Sequence, residues 1–493
     1  MRRSFLFNVI FLVVVNLLIK PFWVFGIDRT VQNHLGEAEY GLYFAIFNFT
    51  YLFQILLDFG LQNYNAREVA ADRTRINELL PGILFFKTIL FCIYLVVCIA
   101  VAFPLGYLSK SFIWIIMANQ ILLSFNIYLR SNISANQYFI TDALLSVLDK
   151  IMMIIFAAVL IWGKIPQFPL TVFNFAAAQF LALAITWVVC LAFSLRLVQE
   201  WKFSFSWKQL NQIAKVSLPY AVIHFLMTTY YRIDGVMLER MQSATECGIY
   251  AQSYRIMESL NNIGYLLATI LLPLFAYRLS RKSNIQQLLR SGFSIIFVIS
   301  VSIVVAFQFY AFDIINTLYP TGNEEYSSLV FSLLMYNFLP VGFLYVIGTL
   351  LTANKNFRIM IPVLSVAVLM NIGLNYWLIP MIGALGAAWA TLFTQLFILL
   401  VYAVAVFRIF ALKADIGYTI RMVTFGAFCV LAVLLVSNLV DKLQLTQSPV
   451  VILAVKILFY FLLVPIFAFG IGLINKQALQ LKVGLEHPGD LPA

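Results

Sequence analysis

Apolar runs of about twenty residues recur along this chain from one end to the other. A helix of that length rises roughly 30 Å, which is the thickness of the hydrocarbon core of a bilayer. Of the 493 residues, 62% are hydrophobic and 11% are charged, whereas soluble domains contain roughly 45–50% and 25%. Too few polar residues are available to cover a soluble fold of this size. We therefore predict an all-α, polytopic membrane protein.

The apolar runs predict about fourteen transmembrane helices. Between the sixth and seventh runs, the segment 197–216 is basic and aromatic, which is typical of an amphipathic element on a membrane surface. The predicted spans are 5–26, 40–61, 79–103, 111–133, 143–162, 168–195, 217–238, 248–275, 290–312, 327–352, 358–379, 383–407, 418–439 and 449–474.

Basic residues are concentrated in alternate loops. Most of the 32 Lys and Arg residues fall in segments that would share one side of the membrane with the N-terminus. Positively charged loops stay on the cytoplasmic side during insertion, so both termini are predicted to be cytoplasmic. This topology accounts for the net charge of +11, and no nucleic-acid partner is predicted. No small-x-small cleavage site follows the first apolar run, which is therefore predicted to be a retained span.

Three short patterns in the first half of the chain recur in the second half, offset by roughly two hundred residues, as expected of a duplicated membrane unit. An even number of spans separates the copies, so both enter the membrane in the same sense. A pseudo-twofold axis normal to the bilayer, with a cavity between two lobes, is then expected. The matching pairs are Ile27-Asp28 with Ile233-Asp234, Gly41-x-Tyr43 with Gly248-x-Tyr250, and Ala135-Asn136-x-x-Phe139 with Ala353-Asn354-x-x-Phe357.

The duplication predicts how the chain is organised. The N-lobe covers 1–196, the amphipathic inter-lobe linker 197–216 and the C-lobe 217–412. Two extra helices without a counterpart in either copy follow at 413–475, and a cytoplasmic tail occupies 476–493. Within the first hairpin, we expect the first helix to end near Gly26 and the second to begin at Tyr40, with Asp28 and Arg29 in a polar turn between them.

Six cationic residues fall inside the predicted spans. A charge at the bilayer centre costs at least about 2.5–3.5 kcal/mol, so such side chains usually face protein or water. By helical rise, Lys20, Arg232 and Arg255 reach a similar level in the outer half of the membrane. Only four carboxylates were expected in the spans (Asp58, Asp149, Asp234 and Glu258), which predicts that a bound anion neutralises the excess. The six cations are Lys20, Lys87, Lys150, Arg232, Arg255 and Lys456.

Structural explanations for these charges stay open. Arg255 and Glu258 are three residues apart on one helix face and could neutralise each other. Lys20 could extend to the outer interface of the membrane. Asp149 and Lys150 are adjacent, so their side chains leave the helix about 100° apart and a direct pair is not assured.

Motifs for covalent or metal chemistry are missing from the sequence. The five cysteines lie in or beside apolar runs without a C-x-x-C pattern or a histidine cluster, so neither a disulfide nor a metal site is predicted. No G-x-x-x-x-G-K-[ST] loop and no H-E-x-x-H motif occurs. We predict a transporter rather than an enzyme, without a cofactor, and the coupling ion, H⁺ or Na⁺, stays open.

Three groups of motifs occur in order along nearly the whole chain. The first hairpin contains Leu35-Gly-x-x-x-Tyr40-Gly41-Leu-Tyr43, Asp58-Phe-Gly60-Leu and Arg67-Glu68, and the second contains Ile233-Asp234 with Gly248-x-Tyr250-Ala. The third group is Asn371-x-x-x-Asn375-x-x-Leu378-Ile379-Pro380-x-x-Gly383-x-x-Gly386-Ala-Ala388-x-Ala390-Thr391. Together they resemble the polysaccharide transporter (Wzx-type flippase) family of the multidrug/oligosaccharidyl-lipid/polysaccharide superfamily.

The resemblance implies a fold like that of the multidrug and toxin extruders, with two six-helix lobes and two extra helices. It implies movement of undecaprenyl-diphosphate-linked oligosaccharide, a precursor of lipopolysaccharide O-antigen, capsule or exopolysaccharide, from the inner to the outer leaflet by alternating access. The location would be a bacterial cytoplasmic membrane, and a polysaccharide polymerase or glycosyltransferase would be a further partner. Cationic residues that contact the diphosphate in this family match Lys20, Arg29 and Arg255 by position.

The predicted substrate site therefore contains Lys20, Arg29, Arg232, Arg255 and Lys150, with Asp28, Asp149, Asp234 and Glu258 as coupling or pairing carboxylates. One alternative is a cation-coupled multidrug exporter of the same superfamily, whose cavity would be dominated by carboxylates. Another is a membrane glycosyltransferase or polymerase acting on the same lipid carrier. The expected excess of buried cations favours the flippase over the first alternative, and the short outer loops argue against the second.

Overall fold

A computed structural model describes residues 19, 21–163, 165–202, 207–320, 323–412, 415–443 and 448–474, with only the backbone at 63 and 207–217. The described chain is helical, with no strand. Its α-helices, in order, are α1 (Arg29–Leu52), α2 (Leu61–Ala71), α3 (Ile76–Ala102), α4 (Phe112–Ala135), α5 (Phe139–Trp162), α6 (Val172–Leu197), α7 (Trp207–Met241), α8 (Ala244–Ser280), α9 (Gln286–Phe309), α10 (Ala311–Leu318), α11 (Glu324–Tyr336), α12 (Phe338–Ala353), α13 (Phe357–Ile382), α14 (Ala384–Ile409), α15 (Ile416–Leu443) and α16 (Pro449–Gly470).

Eleven helical segments of the described chain are long and apolar enough to cross a membrane. The predicted spans at 40–61 and 217–238 correspond to α1 and α7, which are too polar to be counted among the eleven. The predicted span at 5–26 lies mostly outside the described residues. The chain is therefore a multi-pass, all-α membrane protein, as the apolar runs predict.

Contacts divide the chain into two compact units, Met1–Gly248 and Ile249–Ala493. In the first unit, α4 and α5 pack against α6, and α1 packs against α7. Leu80, Leu129 and Cys190, from three helices of this unit, share a core that is almost fully buried. In the second unit, α9 packs against α12, α13 against α14, and α15 against α16. The lobe boundary at 197–216 stays a prediction, and the side chains of 203–217, which carry most of its amphipathic character, lie outside the description.

The first hairpin differs from its prediction. A π-helical turn, Trp23–Asp28, leads directly into α1, so Asp28 and Arg29 lie on a helix rather than in a loop. The helical path breaks at Gly36, whose φ of 78° and ψ of 168° suit a residue without a Cβ. The Tyr40 hydroxyl donates to Asp28 Oδ1 over 2.9 Å, although twelve residues of unbroken helix would separate them by about 18 Å. The chain therefore folds back at Gly36.

The second limb of the hairpin also ends earlier than predicted, at Leu52 instead of near 61. A 3₁₀ turn, Gln54–Leu57, separates it from α2. Lys87 of α3, only 1% exposed, donates through Nζ to the Leu57 carbonyl and to Ser124 Oγ, both at 2.7 Å. Its Nζ also lies 3.6 Å from Asp58 Oδ1. A helix break leaves carbonyls without partners, and this buried lysine supplies the missing donors.

Two glycines make a reciprocal contact where α1 meets the start of α8. A Cβ on Gly41 would overlap the Ala244 carbonyl oxygen, and a Cβ on Gly248 would overlap that of Glu37. Gly41 corresponds to Gly248 in the duplicated pattern, and by the same offset Glu37 corresponds to Ala244. The repeated glycine therefore permits backbone-to-backbone contact, and both copies use it in the same way.

The two helices expected to be extra, α15 and α16, are attached to α9 by polar contacts at several levels. The hydroxyls of Tyr418 and Ser294 lie 2.8 Å apart, and the Tyr460 hydroxyl donates to the Ser302 carbonyl over 3.1 Å. At one end, Arg290 pairs with Asp415 at 2.7 Å. The Tyr418 backbone N–H and the Arg290 guanidinium lower the pKa of Asp415 below its usual value.

Candidate functional site

A row of aromatic side chains follows one face of α1. Tyr40, Tyr43, Phe47 and Tyr51 are spaced by three or four residues, which places them on the same side of a helix. Successive ring centroids are 5.5, 6.2 and 6.0 Å apart. Phe175 of α6 lies edge-on to Tyr43 at 5.4 Å, and the Trp23 ring stacks 6.2 Å beyond Phe175. Phe175 and Trp23 thus extend the row from α1, by way of α6, to the π-helical turn Trp23–Asp28.

Lys150 and Asp149 lie beside this row. Their charged groups lie 3.2 Å apart. The two adjacent side chains therefore form a direct pair, although they leave the helix about 100° apart. Lys150 Nζ also lies 5.9 Å from the centre of the Trp23 ring. The lysine side chain is 32% exposed, which leaves its ammonium accessible to a further ligand.

A cleft in the first unit brings these charges together with amide side chains. This cleft is partly open to the outside. Asn119 Nδ2 donates to Gln179 Oε1 over 3.1 Å, and the Tyr43 hydroxyl donates to the same oxygen over 3.2 Å. Helices α1, α4, α5 and α6 supply the lining: Phe47, Asn119, Gln120, Leu123, Asp149, Lys150, Met153, Gln179, Ala182 and Leu183.

Arg232 of α7 reaches the same aromatic row from another side. Its guanidinium carbon lies 4.6 Å from the Tyr51 ring centre and 5.9 Å from that of Phe47. Its Nη1 donates to Asn48 Oδ1 over 3.1 Å. A guanidinium is planar and weakly hydrated, so it can stack on rings while it donates hydrogen bonds at its edge. Phe47 thus contacts Arg232 and also lines the cleft of Lys150.

Asp28 is a hydrogen-bond acceptor inside the hairpin, only 2% exposed. The Tyr40 hydroxyl donates to both of its carboxylate oxygens, and Gln32 Nε2 donates to Oδ2 over 3.0 Å. Arg29, the next residue, is partly exposed at the start of α1. Asp234 is buried on α7, two residues beyond Arg232. Asp28 is therefore joined to the aromatic row through Tyr40.

Arg255 and Glu258 belong to the second unit and pair with each other. Arg255 Nη1 lies 3.1 Å from Glu258 Oε2, with the two side chains 14% and 33% exposed. This is the i,i+3 geometry that the sequence left open as a structural explanation. Lys20 lies outside the described residues.

The expected excess of cations in the spans stays a prediction, but several of these cations have acidic partners. Lys456 pairs with Asp441 at 2.8 Å, and Lys87 has Asp58 and two further acceptors. In the first unit, Lys150 and Arg232 are placed against aromatic rings.

Sequence reasoning missed the uncharged part of the site. The spacing of Tyr43, Phe47 and Tyr51 on a helix was a usable signal, but aromatics are common in membrane proteins and were given no role. Asn119 and Gln120 interrupt an otherwise apolar run in α4, and such polar residues usually face protein. Their position beside Asp149 depends on how α4 and α5 pack, which no local pattern reveals.

The fold and the cleft together define a polytopic membrane protein with a polar, cation-bearing site within a helical unit. The chain belongs to the family described as polysaccharide biosynthesis protein, whose model matches residues 5–278. No curated protein sequence matches the chain.

Solved structures of transporters have a similar fold. The lipid II flippase MurJ, in an inward closed conformation, is 15% identical with a TM-score of 0.70, over 94% of this chain and 99% of MurJ. An inward-facing multidrug resistance MATE family transporter of the MOP superfamily is 15% identical with a TM-score of 0.61, over 80% and 94%. The MATE multidrug transporter DinF-BH is 16% identical with a TM-score of 0.61, over 83% and 96%. These likenesses confirm the expected fold class.

Proposed function

We propose that the chain is a flippase that moves undecaprenyl-diphosphate-linked oligosaccharide units from the inner to the outer leaflet of a bacterial cytoplasmic membrane by alternating access. Both termini lie in the cytoplasm in this proposal. The observation that carries it is the placement of Lys150 and Arg232 against the aromatic row of a membrane-embedded unit, in a chain of the polysaccharide biosynthesis family.

The chemistry of such a cargo fits these side chains. Its lipid tail can stay in the bilayer, but a diphosphate and sugars cannot cross hydrocarbon unaided. Lysine and arginine bind phosphate oxygens by charge-assisted hydrogen bonds, and aromatic and amide side chains suit the apolar faces and hydroxyls of sugars. Lys20, Arg29 and Arg255 would add further cations for the diphosphate.

The membrane potential would assist this direction of movement. With the inside negative at 100 mV, outward transfer of two unneutralised negative charges is favoured by roughly 4.6 kcal/mol. Cations bound at the diphosphate cancel part of that charge, so the proposal leaves open a coupling ion, H⁺ or Na⁺, as a further driving force.

Two arms of one vesicle experiment test the proposal. The full chain is reconstituted in phospholipid vesicles that contain undecaprenyl-diphosphate-linked oligosaccharide with a fluorescent sugar, and a membrane-impermeant quencher reports the leaflet. We expect the protein to move the fluorescent glycan to the leaflet that the quencher reaches, so that fluorescence is lost only when the protein is present. Lys150→Met and Arg232→Gln should each lower the rate of this loss at least tenfold. Lys456→Met is the matched control, because it removes a paired cation on α16 away from the cleft. Unchanged rates in both site variants would contradict the proposal.

A cation-coupled multidrug exporter is the second candidate, because Asp149 places a carboxylate, paired with Lys150, in the cleft. The second arm therefore replaces the glycan with a cationic rhodamine dye under an imposed H⁺ or Na⁺ gradient. If the dye is transported only when Asp149 is present, and the glycan does not move, the results would support the exporter.

A further inference from the structure

We propose that the amide side chains of the cleft lined by α1, α4, α5 and α6 form a subsite for uncharged sugar hydroxyl groups, distinct from the cations that bind the diphosphate. This inference rests on the proposed function and names the part of the cargo that the cleft takes. It starts from two adjacent amides of α4, Asn119 and Gln120, which are 2% and 1% exposed.

Both amides present an acceptor that no hydrogen bond satisfies. Asn119 uses its Nδ2 donor on the Ala176 carbonyl and on Gln179 Oε1, which leaves Oδ1 without a partner. Gln120 Oε1 is likewise buried and unpartnered. Buried acceptors are normally paired, so two unpaired ones on neighbouring residues that line a cleft point to a ligand that supplies donors.

The charges of the cleft select the kind of donor. Asp149 contributes further acceptor capacity, because a carboxylate has about four lone-pair sites and Lys150 pairs with Oδ2. The lysine neutralises that carboxylate, so the pair adds no net negative charge to attract a metal ion or a cationic drug. Lys150 can donate to a diphosphate, but the unpaired oxygens of Asn119 and Gln120 cannot, because a diphosphate has only acceptor oxygens. Sugar hydroxyls are neutral donors and satisfy both conditions.

The uncharged walls suit a sugar ring as well. Phe47, Leu123 and Met153 line the same space and offer apolar surface to the C–H face of a pyranose. Because Phe47 also contacts the Arg232 guanidinium, a sugar in the cleft would place an anionic group attached to it within reach of that arginine. One aromatic side chain thus separates the hydroxyl subsite from the anion subsite.

Binding measurements on the full chain in lipid nanodiscs test the subsite. The probes are the free disaccharides lactose, cellobiose and chitobiose, with sodium pyrophosphate and tetraphenylphosphonium as the competing chemistries, and the readout is saturation-transfer NMR. We expect at least one disaccharide to bind, and Gln120→Met to weaken it at least fivefold while pyrophosphate binding stays unchanged. Arg232→Gln should show the opposite pattern.

Asn126→Leu is the matched control, because Asn126 is another buried amide of α4 with an unpartnered Oδ1 but does not line the cleft. It should leave disaccharide binding intact. Met153→Trp fills the cleft without changing either amide and should abolish disaccharide binding, which tests the subsite independently of how well Gln120→Met folds.

Three results would overturn the subsite. The first is disaccharide binding at the wild-type level in both Gln120→Met and Met153→Trp, and the second is failure of all three disaccharides to bind. The third is displacement of a bound disaccharide by pyrophosphate or tetraphenylphosphonium in a way that depends on Asp149. These outcomes are separable from failure of the flippase proposal. Disaccharide binding without glycan movement in vesicles would retain the subsite and reject the flippase, whereas glycan movement unaffected by Gln120→Met would do the reverse.

Discussion

Arg232 shows how a single residue can be held in a membrane-embedded unit by more than charge. Its guanidinium stacks on Tyr51 and donates to Asn48 at the same time. Lysine carries the same charge on a compact ammonium, which cannot both stack as a plane and donate from a fixed edge. At this position the shape of the cation therefore matters as much as its charge.

We predict that Arg232→Lys lowers the rate of glycan movement in vesicles at least fivefold, although the net charge is unchanged. Arg290→Lys is the control, since Arg290 pairs with Asp415 at the protein surface and should tolerate lysine. A wild-type rate in Arg232→Lys would show that charge alone is sufficient.

Asp28 has two possible roles that its variants separate. As a structural acceptor, it satisfies Tyr40 and Gln32 in a buried position, and Asp28→Ala should cost about 1–3 kcal/mol for the donors left unpaired. Asp28→Asn keeps one acceptor and should cost less, as measured by thermal unfolding in detergent. If Asp28 is instead a coupling carboxylate, Asp28→Asn will abolish transport driven by an ion gradient while thermal stability stays near that of the wild type.

At the scale of elements, breaks in the helices explain several of the polar residues. Gly36 allows the chain to fold back, and Lys87 supplies donors at the break between α1 and α2. A close approach of two backbones in the first unit lies at Gly41 and Gly248. Each of these residues serves the geometry of the hairpins rather than the chemistry of the cleft.

We expect Gly41→Ala and Gly248→Ala each to destabilise the protein, because the new methyl group would overlap a backbone carbonyl that cannot rotate away. Overpacking of this kind typically costs about 1–3 kcal/mol. Gly426→Ala in α15 is the control, since nothing lies within 4 Å of a Cβ there and alanine favours a helix by roughly 0.5–1 kcal/mol over glycine. Thermal unfolding of all three variants in one detergent makes the comparison, and equal midpoints would contradict the close contact.

At the scale of the whole molecule, the fold resembles those of MurJ and MATE transporters, while the family match covers 5–278. The predicted diphosphate site draws on residues from both halves of the sequence. Paired substitutions, one in each half, can test this prediction.

The double variant Lys20→Ala, Arg255→Ala is predicted to abolish surface glycan export in cells while the protein still inserts in the membrane, because the diphosphate would lose a cation from each half. Membrane abundance by immunoblot checks insertion, and Lys456→Ala provides a control for removal of a cation from a span. Normal glycan levels in the double variant would remove these two residues from the site.

Sequence reasoning reached the membrane class, most of the spans and the family resemblance, but only part of the site. It named Lys150 and Arg232, and it missed Gln120 and Phe47 because a polar amide or an aromatic ring within an apolar run has many structural uses. It also placed the first turn of the chain too early, since the polar residues near Asp28 suggested a loop. In the structure, Tyr40 and Gln32 instead donate hydrogen bonds to the Asp28 carboxylate.

The amino-acid sequence by itself determined that this chain enters a membrane, roughly where most of the membrane spans lie, and that the two halves share a pattern. Those properties depend on the length of apolar runs and on repeated residues, which are readable in one dimension. Only the tertiary structure decided which charges are neutralised and which amides are left with unsatisfied acceptors. Such pairings depend on which helix faces meet, and in hydrocarbon every polar group must find its partner on another part of the fold.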